Sequence, residues 1–267
     1  MDGVIETEAR VQLEGVHLSF GVRPVFRGLD VSFPRGRISV ILGGSGSGKS
    51  TLLRAIGGLV RPQRGSVRVA GEDVTRLPER ELFRVRERIG MLFQHGALLD
   101  AMSVYENVAL PLREHTRLSE SDIAAEVERR LAAVGLPDAG RLRPRELSGG
   151  MLRRAALARA IVTDPEIVLC DEPFSGLDPI NVRRIEKLFT DLNRQLGISL
   201  LVTSHHIPSS LRMADQIVFL HDGVAEAGPP KEIRYHPDPR VAGFFAAELD
   251  ADAATSEDGQ GEEGTRP

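Results

Sequence analysis

The sequence contains very little cysteine and no long apolar segment. Cys170 is the single cysteine among 267 residues, so an intramolecular disulfide framework is excluded and a reducing compartment fits the chain. The apolar runs Ile38 to Leu42 and Ile167 to Cys170 are far shorter than the roughly 20 residues that a membrane-spanning helix needs. We therefore expect any membrane role to depend on a partner protein.

The first residues do not have the composition expected of an export signal. The first eight residues include Asp2, Glu6 and Glu8 and contain no base. A secretory signal begins with basic residues and continues into an apolar run of about 7–15 residues. We expect the protein to stay in the cytoplasm.

The charge balance lacks a basic excess. Lys and Arg number 34 against 38 Asp and Glu, which gives a formal net charge of −4. A nucleic-acid partner would call for a basic face or stripe, so we expect none. With 41% hydrophobic and 27% charged residues, the composition is typical of one large globular domain. No repeat with a period of about 20–50 residues is visible, which disfavours a solenoid or a propeller.

The end of the chain differs from the rest in composition. Residues 248–267 contain seven acids, one base and no aromatic residue. Such a segment cannot bury enough apolar surface to fold. We expect a disordered acidic tail after an ordered domain at residues 9–247.

Several short segments have the pattern of β-strands. From Val11 to Phe20 apolar residues mostly alternate with polar ones, and Gly21 and Pro24 are expected to end that strand in a turn. Short apolar runs typical of buried strands are Ile38–Leu42, Ile167–Cys170 and Ser199–Val202.

Helical patterns alternate with these strands. Helices are expected at Lys49–Ile56 and at about Asn181–Gln195, and strand–helix–strand order implies a parallel sheet. Within about residues 95–160, Ser119 and Asp122 form a capping-box pattern, and Ile123, Val127 and Leu131 then repeat at helical spacing. We therefore predict an α/β fold with an inserted helical subdomain.

A phosphate-binding loop is the most specific motif. The pattern G-x-x-x-x-G-K-[ST] is satisfied by Gly43, Gly44, Ser45, Gly46, Ser47, Gly48, Lys49 and Ser50, and Thr51 completes the predicted nucleotide-contacting segment. The motif lies between a predicted strand and a predicted helix, which distinguishes it from an ordinary glycine-rich turn. A dinucleotide-binding fingerprint is excluded because it needs glycine at the position of Lys49. Backbone N–H groups of such a loop surround phosphate, Lys49 can reach the β- and γ-phosphates, and Ser50 can ligate Mg²⁺.

Two carboxylates follow the buried strand that ends near Cys170. Asp171 and Glu172 would lie at the carboxyl end of that strand, where open α/β sheets bind ligands. Asp171 is suited to hold Mg²⁺, usually through water, and Glu172 can act as general base toward the attacking water. A lone Asp-Glu pair is more often a surface turn, but the phosphate-binding loop upstream reverses that preference.

A second anion site is predicted at Ser148, Gly149 and Gly150. Ser148 can cap a helix whose first backbone N–H groups are not covered by side chains. One phosphate-binding loop and one such helix terminus in a chain favour an arrangement in which each subunit covers nucleotide held by the other.

Leu147-Ser148-Gly149-Gly150 resembles the signature motif of the ABC ATPases, and its spacing before Asp171 matches that family. The family's other motifs follow in order. The Q-loop is matched by Gln94, the D-loop by Ser175–Asp178, the switch histidine by His205 and the adenine-stacking aromatic by Phe20. The resemblance covers roughly residues 9–245.

This resemblance implies a P-loop NTPase of ABC type with a RecA-like parallel-sheet core, an N-terminal antiparallel β subdomain and a helical insertion. It implies a head-to-tail homodimer that binds ATP and Mg²⁺. Hydrolysis would involve Glu172, His205, Lys49 and Gln94, the metal would be held by Ser50, Gln94 and Asp171, and Asp178 would belong to the nucleotide-binding set.

Simpler interpretations compete for three of these residues. Phe20 at a strand end could be a core residue, and Gln94 could be a solvated loop residue. Ser204-His205-His206 could suggest a metal pair, but adjacent residues on a strand point to opposite faces and no acidic cluster surrounds them. His206 stands where many family members have Asp.

Within the family, the chain resembles the ATPases of the Mla/Mce phospholipid-transport systems. The resemblance lies in residues 91–99, 107–116, 148–161 and 236–241. It implies a peripheral location on the cytoplasmic face of a bacterial inner membrane, through an MlaE-type permease. An Mce-domain lipid-binding protein and, in some such systems, a small STAS-domain protein are further implied partners. Residues 94–116 are the expected permease-contact segment.

Rival functions share the catalytic motifs. One is the ATPase of another importer or an FtsE-like regulator of the cell envelope, which only the partner distinguishes. Another is a soluble ABC protein of translation or DNA repair, but one cysteine and no long heptad run argue against it. A scaffold that binds nucleotide without hydrolysis is disfavoured because Glu172 and His205 are both present.

Overall fold

The computed structural model describes residues 9–94 and 96–246. The strands are β1 (Ala9–Phe20), β2 (Arg23–Pro34), β3 (Ile38–Leu42), β4 (Arg64–Val69), β5 (Glu72–Asp73), β6 (Ile89–Leu92), β7 (Ile167–Asp171), β8 (Ser199–Thr203), β9 (Gln216–His221) and β10 (Val224–Gly228). The helices are α1 (Lys49–Ile56), α2 (Glu79–Arg86), α3 (Val104–His115), α4 (Glu120–Ala133), α5 (Gly149–Ile161), α6 (Pro179–Leu196), α7 (Ile207–Met213) and α8 (Pro230–Ile233). A 3-10 turn lies at Pro144–Glu146, and residues 239–246 are helical.

A six-stranded sheet forms the centre of the fold, in the order β10-β9-β3-β8-β7-β6. Strands β9, β3, β8, β7 and β6 pair in parallel, and β10 adds an antiparallel edge. All residues of β3 and β8 are buried, because helices or the second sheet cover both faces. Because β3, β8 and β7 are parallel neighbours, their carboxyl ends meet at one edge of the sheet.

A four-stranded antiparallel sheet contains the N-terminal strands in the order β2-β1-β4-β5. Its apolar face packs with α1 and with one face of the central sheet around Phe26, Phe33 and Leu52, all nearly inaccessible to solvent. The first strand ends at Phe20 and is followed by a turn at Gly21 and Val22, as predicted, but Pro24 lies beyond that turn. It lies inside β2, an edge strand, where proline's missing N–H is tolerated.

Helices α3, α4 and α5 fill the chain between β6 and β7, the interval for which a helical subdomain was expected. A capping box of Ser103 and Glu106 begins α3. Ser119 caps α4 by accepting from the Asp122 backbone N–H, as its sequence pattern suggests. In a complete capping box, the Asp122 carboxylate would also accept from the Ser119 backbone N–H. Here that carboxylate accepts from the Ser119 hydroxyl instead.

The structure confirms the predicted α/β class, with a parallel core sheet and an N-terminal antiparallel sheet. It also places residues 239–246 against the core, where Val241 and Phe245 are buried and the Phe245 ring lies 6.2 Å from that of Phe219. The acidic tail predicted at residues 248–267, and residue 247 of the predicted domain, lie outside the described residues. Within the described ranges, no helix combines the length and apolarity needed to span a membrane.

Candidate functional site: a phosphate-binding loop with buried charges

The loop between β3 and α1 adopts a backbone that only glycine permits at two positions. Gly43 and Gly48 have φ values of 150° and 103°. A Cβ atom at Gly43 would lie 2.4 Å from the Leu220 carbonyl oxygen, and one at Gly48 would lie 2.8 Å from Val25 Cγ1. The glycines of the motif therefore serve both the backbone conformation and the close packing of the loop.

Lys49 begins α1 and turns back beneath this loop. Its Nζ atom donates to the carbonyl oxygens of Gly43 at 2.8 Å and Gly44 at 3.3 Å, and the residue is only 6% exposed. Burial lowers the pKa of Lys49, and the charges of Glu172 and Asp171 oppose that shift without cancelling it. The ammonium group is thus held by carbonyl dipoles at a place where an anion would stabilise it.

Ser50 and Asp171 come together although they are far apart in sequence. The Ser50 hydroxyl donates to Asp171 Oδ1 at 3.0 Å, and the Thr203 hydroxyl donates to the same oxygen at 2.7 Å. The contact arises because β3, β8 and β7 are neighbours, so their carboxyl ends converge. Hydroxyl and carboxylate oxygens at this edge are ligands that Mg²⁺ prefers.

Glu172 has an unusual backbone and a charge that its neighbours only partly compensate. Its φ of 47° is rare for a residue other than glycine, and its N–H donates to Thr203 Oγ1 at 2.9 Å. Oε1 is buried without a hydrogen bond of good geometry, although His205 Nε2 lies 3.2 Å and Lys49 Nζ 3.9 Å away. Burial raises the pKa of Glu172, and His205 and Lys49 only partly offset it. A raised pKa makes the carboxylate a stronger base.

His205 completes this cluster, and the structure corrects its predicted backbone. Strand β8 ends at Thr203, so His205 and His206 lie in the turn before α7 and not on a strand with alternating faces. His205 Nε2 is 3.0 Å from Lys49 Nζ. His206 points elsewhere, with Nδ1 3.2 Å from the Ser209 backbone nitrogen at the start of α7. The two rings belong to different environments because the turn separates them.

A cavity of about 860 Å³ opens over the loop. It is lined by Phe20, by Gly44, Ser45, Gly46, Ser47, Gly48, Lys49, Ser50 and Thr51, and by Gln94, Glu172 and His205. Phe20 is 52% exposed, which disagrees with the interpretation of this residue as core. Gln94 contacts Ser175 Oγ from its Nε2 atom at 3.5 Å. The cavity thus gathers most of the residues predicted to bind nucleotide and catalyse its hydrolysis.

The cavity also has a wall that sequence reasoning missed. Arg23, Arg27, His221, Asp222 and Gly223 line it beside the phosphate-binding loop. The turn Asp222-Gly223, with φ values of 48° and 84°, joins β9 to β10. Asp-Gly between two apolar runs is a strong hairpin signal and could have predicted this wall.

Six predicted residues do not line the cavity: Gly43 and Asp171, whose chain neighbours Gly44 and Glu172 do line it, and the more remote Ser148, Gly149, Gly150 and Asp178. Ser148 caps α5 by accepting from the Met151 N–H at 3.3 Å, and Asp178 caps α6 by accepting from the Asn181 N–H at 3.0 Å. A Cβ atom at Gly150 would lie 2.8 Å from Asn181 Oδ1, so α5 and α6 meet closely there. Together with Gly149, these residues do not line the cavity of their own chain. Within one chain, the phosphate-binding loop and the predicted anion site at Ser148 to Gly150 therefore lie at separate places.

Comparison with known proteins decides the family. Residues 26–175 match the ABC transporter family. The chain belongs to the ABC transporter family. It is 44% identical over 236 residues to the intermembrane phospholipid transport system ATP-binding protein MlaF of Escherichia coli, covering 88% of each chain. It is 40% identical to the probable ribonucleotide transport ATP-binding protein mkl of Mycobacterium tuberculosis, over 88% of this chain and 66% of that protein.

A solved structure shows a similar fold. The ATP-binding cassette MJ0796, in a dimeric post-hydrolysis state bound to ADP and Pi, superposes with a TM-score of 0.76 and 30% identity, over 82% of this chain and 98% of that one. The family and the fold of this ABC protein agree with the cavity, whose charged groups suit a nucleotide phosphate. The chain is an ATP-binding, ATP-hydrolysing subunit of this family.

The raised pKa of Glu172 predicts a stability effect. A carboxyl whose pKa is higher in the fold than in the unfolded chain binds its proton more tightly in the fold, so its ionisation destabilises the fold as pH rises. Nucleotide-free Glu172→Gln should therefore unfold at a higher temperature than wild type at neutral pH. The difference should shrink as pH falls to the ordinary glutamate pKa of about 4.3.

Differential scanning calorimetry across pH measures this effect, with Glu128→Gln as an exposed control. An unfolding temperature for Glu172→Gln that is equal to or below wild type at neutral pH would contradict the proposed cost of the buried charge.

Proposed function

We propose that this ABC ATPase powers the transport of phospholipid between the inner and outer membranes of a bacterium. The 44% identity to MlaF over 88% of each chain carries this proposal. The relative with ribonucleotide transport in its name is less similar and extends well beyond the aligned region, since the chain covers 66% of it. ATPases of other importers and FtsE-like regulators share the same site and remain the alternatives.

The proposed working unit is a head-to-tail homodimer. The signature residues Ser148 to Gly150 lie outside their own chain's cavity, and the N-terminus of α5 presents backbone N–H groups suited to an anion. The dimeric state of the similar cassette MJ0796 supports the pairing. Each ATP would be held by the phosphate-binding loop of one chain and covered by the signature residues of the other, with Asp178 near the junction.

Hydrolysis is assigned to groups already in contact. Glu172 accepts a proton from the attacking water, since its burial raises its pKa and strengthens it as a base. His205, between Lys49 and Glu172, orients the reacting γ-phosphate and water. Lys49 and the loop's backbone N–H groups stabilise negative charge on the phosphate oxygens in the transition state. Phe20, exposed at the cavity rim, is positioned to stack on the adenine ring.

The site fits Mg²⁺ as the companion of ATP. Ser50 Oγ and Asp171 Oδ1 lie 3.0 Å apart, and Ser50 and Gln94 both line the nucleotide cavity. Among residues 9–94 and 96–246, no group of three His, Cys, Asp or Glu could hold a metal alone. Mg²⁺ usually binds through one or two protein oxygens with the rest of its ligands from phosphate and water, which matches this donor set. When bound, it neutralises phosphate charge.

The permease-contact surface is proposed at the groove where the helical segment meets β6. Phe93, 40% exposed, lines this groove with Met91, Pro111 and His115. Gln94 follows Phe93 directly, so the groove adjoins the nucleotide cavity through a single residue. An MlaE-type permease would dock here at the cytoplasmic face of the inner membrane. An Mce-domain protein, and in some systems a STAS-domain protein, would complete the assembly.

Partner capture tests the cargo. Glu172→Gln should bind ATP without turnover and accumulate as a closed dimer, because the base is absent while the binding groups remain. The tagged variant is purified with ATP from gently solubilised inner membranes, and the copurifying proteins and lipids are identified by mass spectrometry. We expect an MlaE-type permease, an Mce-domain protein and phospholipid. The same purification with Lys49→Ala is the control for binding that does not need nucleotide.

An unrelated permease in the ATP-dependent fraction would overturn the phospholipid assignment and leave the ATPase assignment intact. Normal turnover by Glu172→Gln would instead contradict the role of Glu172 as base.

The groove generates a separate prediction. Phe93→Arg removes the exposed ring that an apolar partner side chain would contact and adds a positive charge to a groove that already contains Arg86, Glu87 and Arg159. We expect ATP binding by the isolated subunit to be unchanged and copurification of the permease to be lost. Phe83→Arg is the matched control, since Phe83 is 54% exposed on α2 and does not line the groove. Retained permease binding by Phe93→Arg would place the contact elsewhere.

A further inference from the structure

A buried carboxylate on α6 has no role in the hydrolysis described above. Glu186 is 7% exposed, and both of its oxygens are bonded. Arg212 donates to Oε1 at 2.5 Å and to Oε2 at 3.2 Å, and Arg183 Nη1 lies 3.6 Å from Oε2. Burial opposes ionisation, but the bonds from Arg212 and from the Ser209 hydroxyl outweigh it and lower the pKa of Glu186. The group is therefore an ionised, fixed acceptor.

Its third partner, the Ser209 hydroxyl, links Glu186 to His206. Ser209 Oγ donates to Glu186 Oε1 in a short contact, and the same oxygen lies 2.7 Å from His206 Nδ1. A hydroxyl has one hydrogen and a carboxylate can only accept, so that hydrogen belongs to the Glu186 bond. The Ser209 backbone N–H also donates to His206 Nδ1 at 3.2 Å and so caps α7. Ser209 therefore contacts Glu186 through its hydroxyl and His206 through both its hydroxyl oxygen and its backbone N–H.

The backbone of His206 is held at both ends. Its N–H donates to Ser204 Oγ at 2.8 Å, and its carbonyl accepts from the Ser210 hydroxyl at 2.8 Å. His205 lies between the fixed residues Ser204 and His206. Its own side chain is 53% exposed, so packing does little to orient it. The position of the His205 ring against Lys49 and Glu172 therefore depends on this turn.

From this geometry we propose that Glu186 is a positioning residue for the switch histidine: through Ser209 and His206 it fixes the turn that holds His205 at the reacting groups. The inference rests on the proposed role of His205 in hydrolysis. It explains why a charge is buried between α6 and α7, where apolar packing would join the helices without the desolvation cost of a carboxylate. Because α6 also begins against Gly150, the same helix contacts the signature segment and controls the switch.

Steady-state kinetics test the proposal with Glu186→Ala, Glu186→Gln and the control Asp191→Asn. Asp191 is another α6 carboxylate, and the exposed Lys187 on the same helix donates to it at 2.6 Å. We expect Glu186→Ala to lower kcat by roughly 10- to 100-fold, the size of effect expected from a misplaced catalytic group. ATP affinity should not change, because Glu186 does not line the nucleotide cavity. Glu186→Gln keeps an acceptor for Ser209 and should retain more activity, and Asp191→Asn should match wild type.

A double-mutant cycle with His205→Ala separates positioning from a general loss of stability. If Glu186 acts through His205, Glu186→Ala should lower kcat in the wild-type background and have no further effect in the His205→Ala background. Equal losses in both backgrounds, or loss of ATP affinity, would overturn the proposal. Should Glu186→Ala fail to fold, Glu186→Gln and Ser209→Ala complete the same cycle.

Two variants distinguish the role of His205 in hydrolysis from the role of Glu186 in positioning it. Full activity of His205→Ala would refute the role of His205 and the positioning proposal with it. A loss in His205→Ala together with wild-type kcat in Glu186→Ala would refute the positioning proposal alone.

Discussion

The parallel pairing of β3, β8 and β7 is the constraint on which the site depends. Ile41 pairs with Thr203, and Thr203 pairs with Asp171, so three strand ends lie in one row. Thr203 is fully buried in the middle of that row, and its hydroxyl contacts both Asp171 and the Glu172 N–H. The loop after each strand then contributes one chemical group: Lys49 after β3, Glu172 after β7 and His205 after β8. A shift of β8 by one residue would separate all three.

The charges at this edge are arranged for a ligand that supplies negative charge. Burial lowers the pKa of Lys49 and raises that of Glu172, so each charged form is less favourable in the fold than in water. Neither group has enough compensation from its neighbours alone. A phosphate beside Lys49 would offset the first cost directly. This is the usual state of an active site, where stability is sacrificed for groups poised to react.

Much of this arrangement could be predicted from the sequence, because local pattern and motif agreed. The helix predicted at Lys49–Ile56 has those bounds, since the glycines before it and the apolar spacing within it both define a helix start. Features that depend on contacts between distant parts of the chain were harder to predict from the sequence. Pro24 was expected to belong to the turn that ends the first strand, and it instead belongs to β2, the edge strand that pairs with the first. His205 was assigned to a strand, but the chain turns after Thr203 because Ser204 and Ser210 bond the His206 backbone. The link from Glu186 to His206 has no sequence signal at all.

In the proposed head-to-tail dimer, each chain contributes two half-sites and the pair of chains forms two whole sites. Lys49 and Ser148 would then act on the same ATP only when they come from different chains. The direct measurement mixes two variants, Lys49→Ala and Ser148→Arg, and follows hydrolysis of labelled ATP in a single turnover. Each variant alone should be inactive, and the mixture should recover activity because mixed dimers contain one intact site. An inactive mixture, with mixed dimers shown to form, would contradict the head-to-tail account.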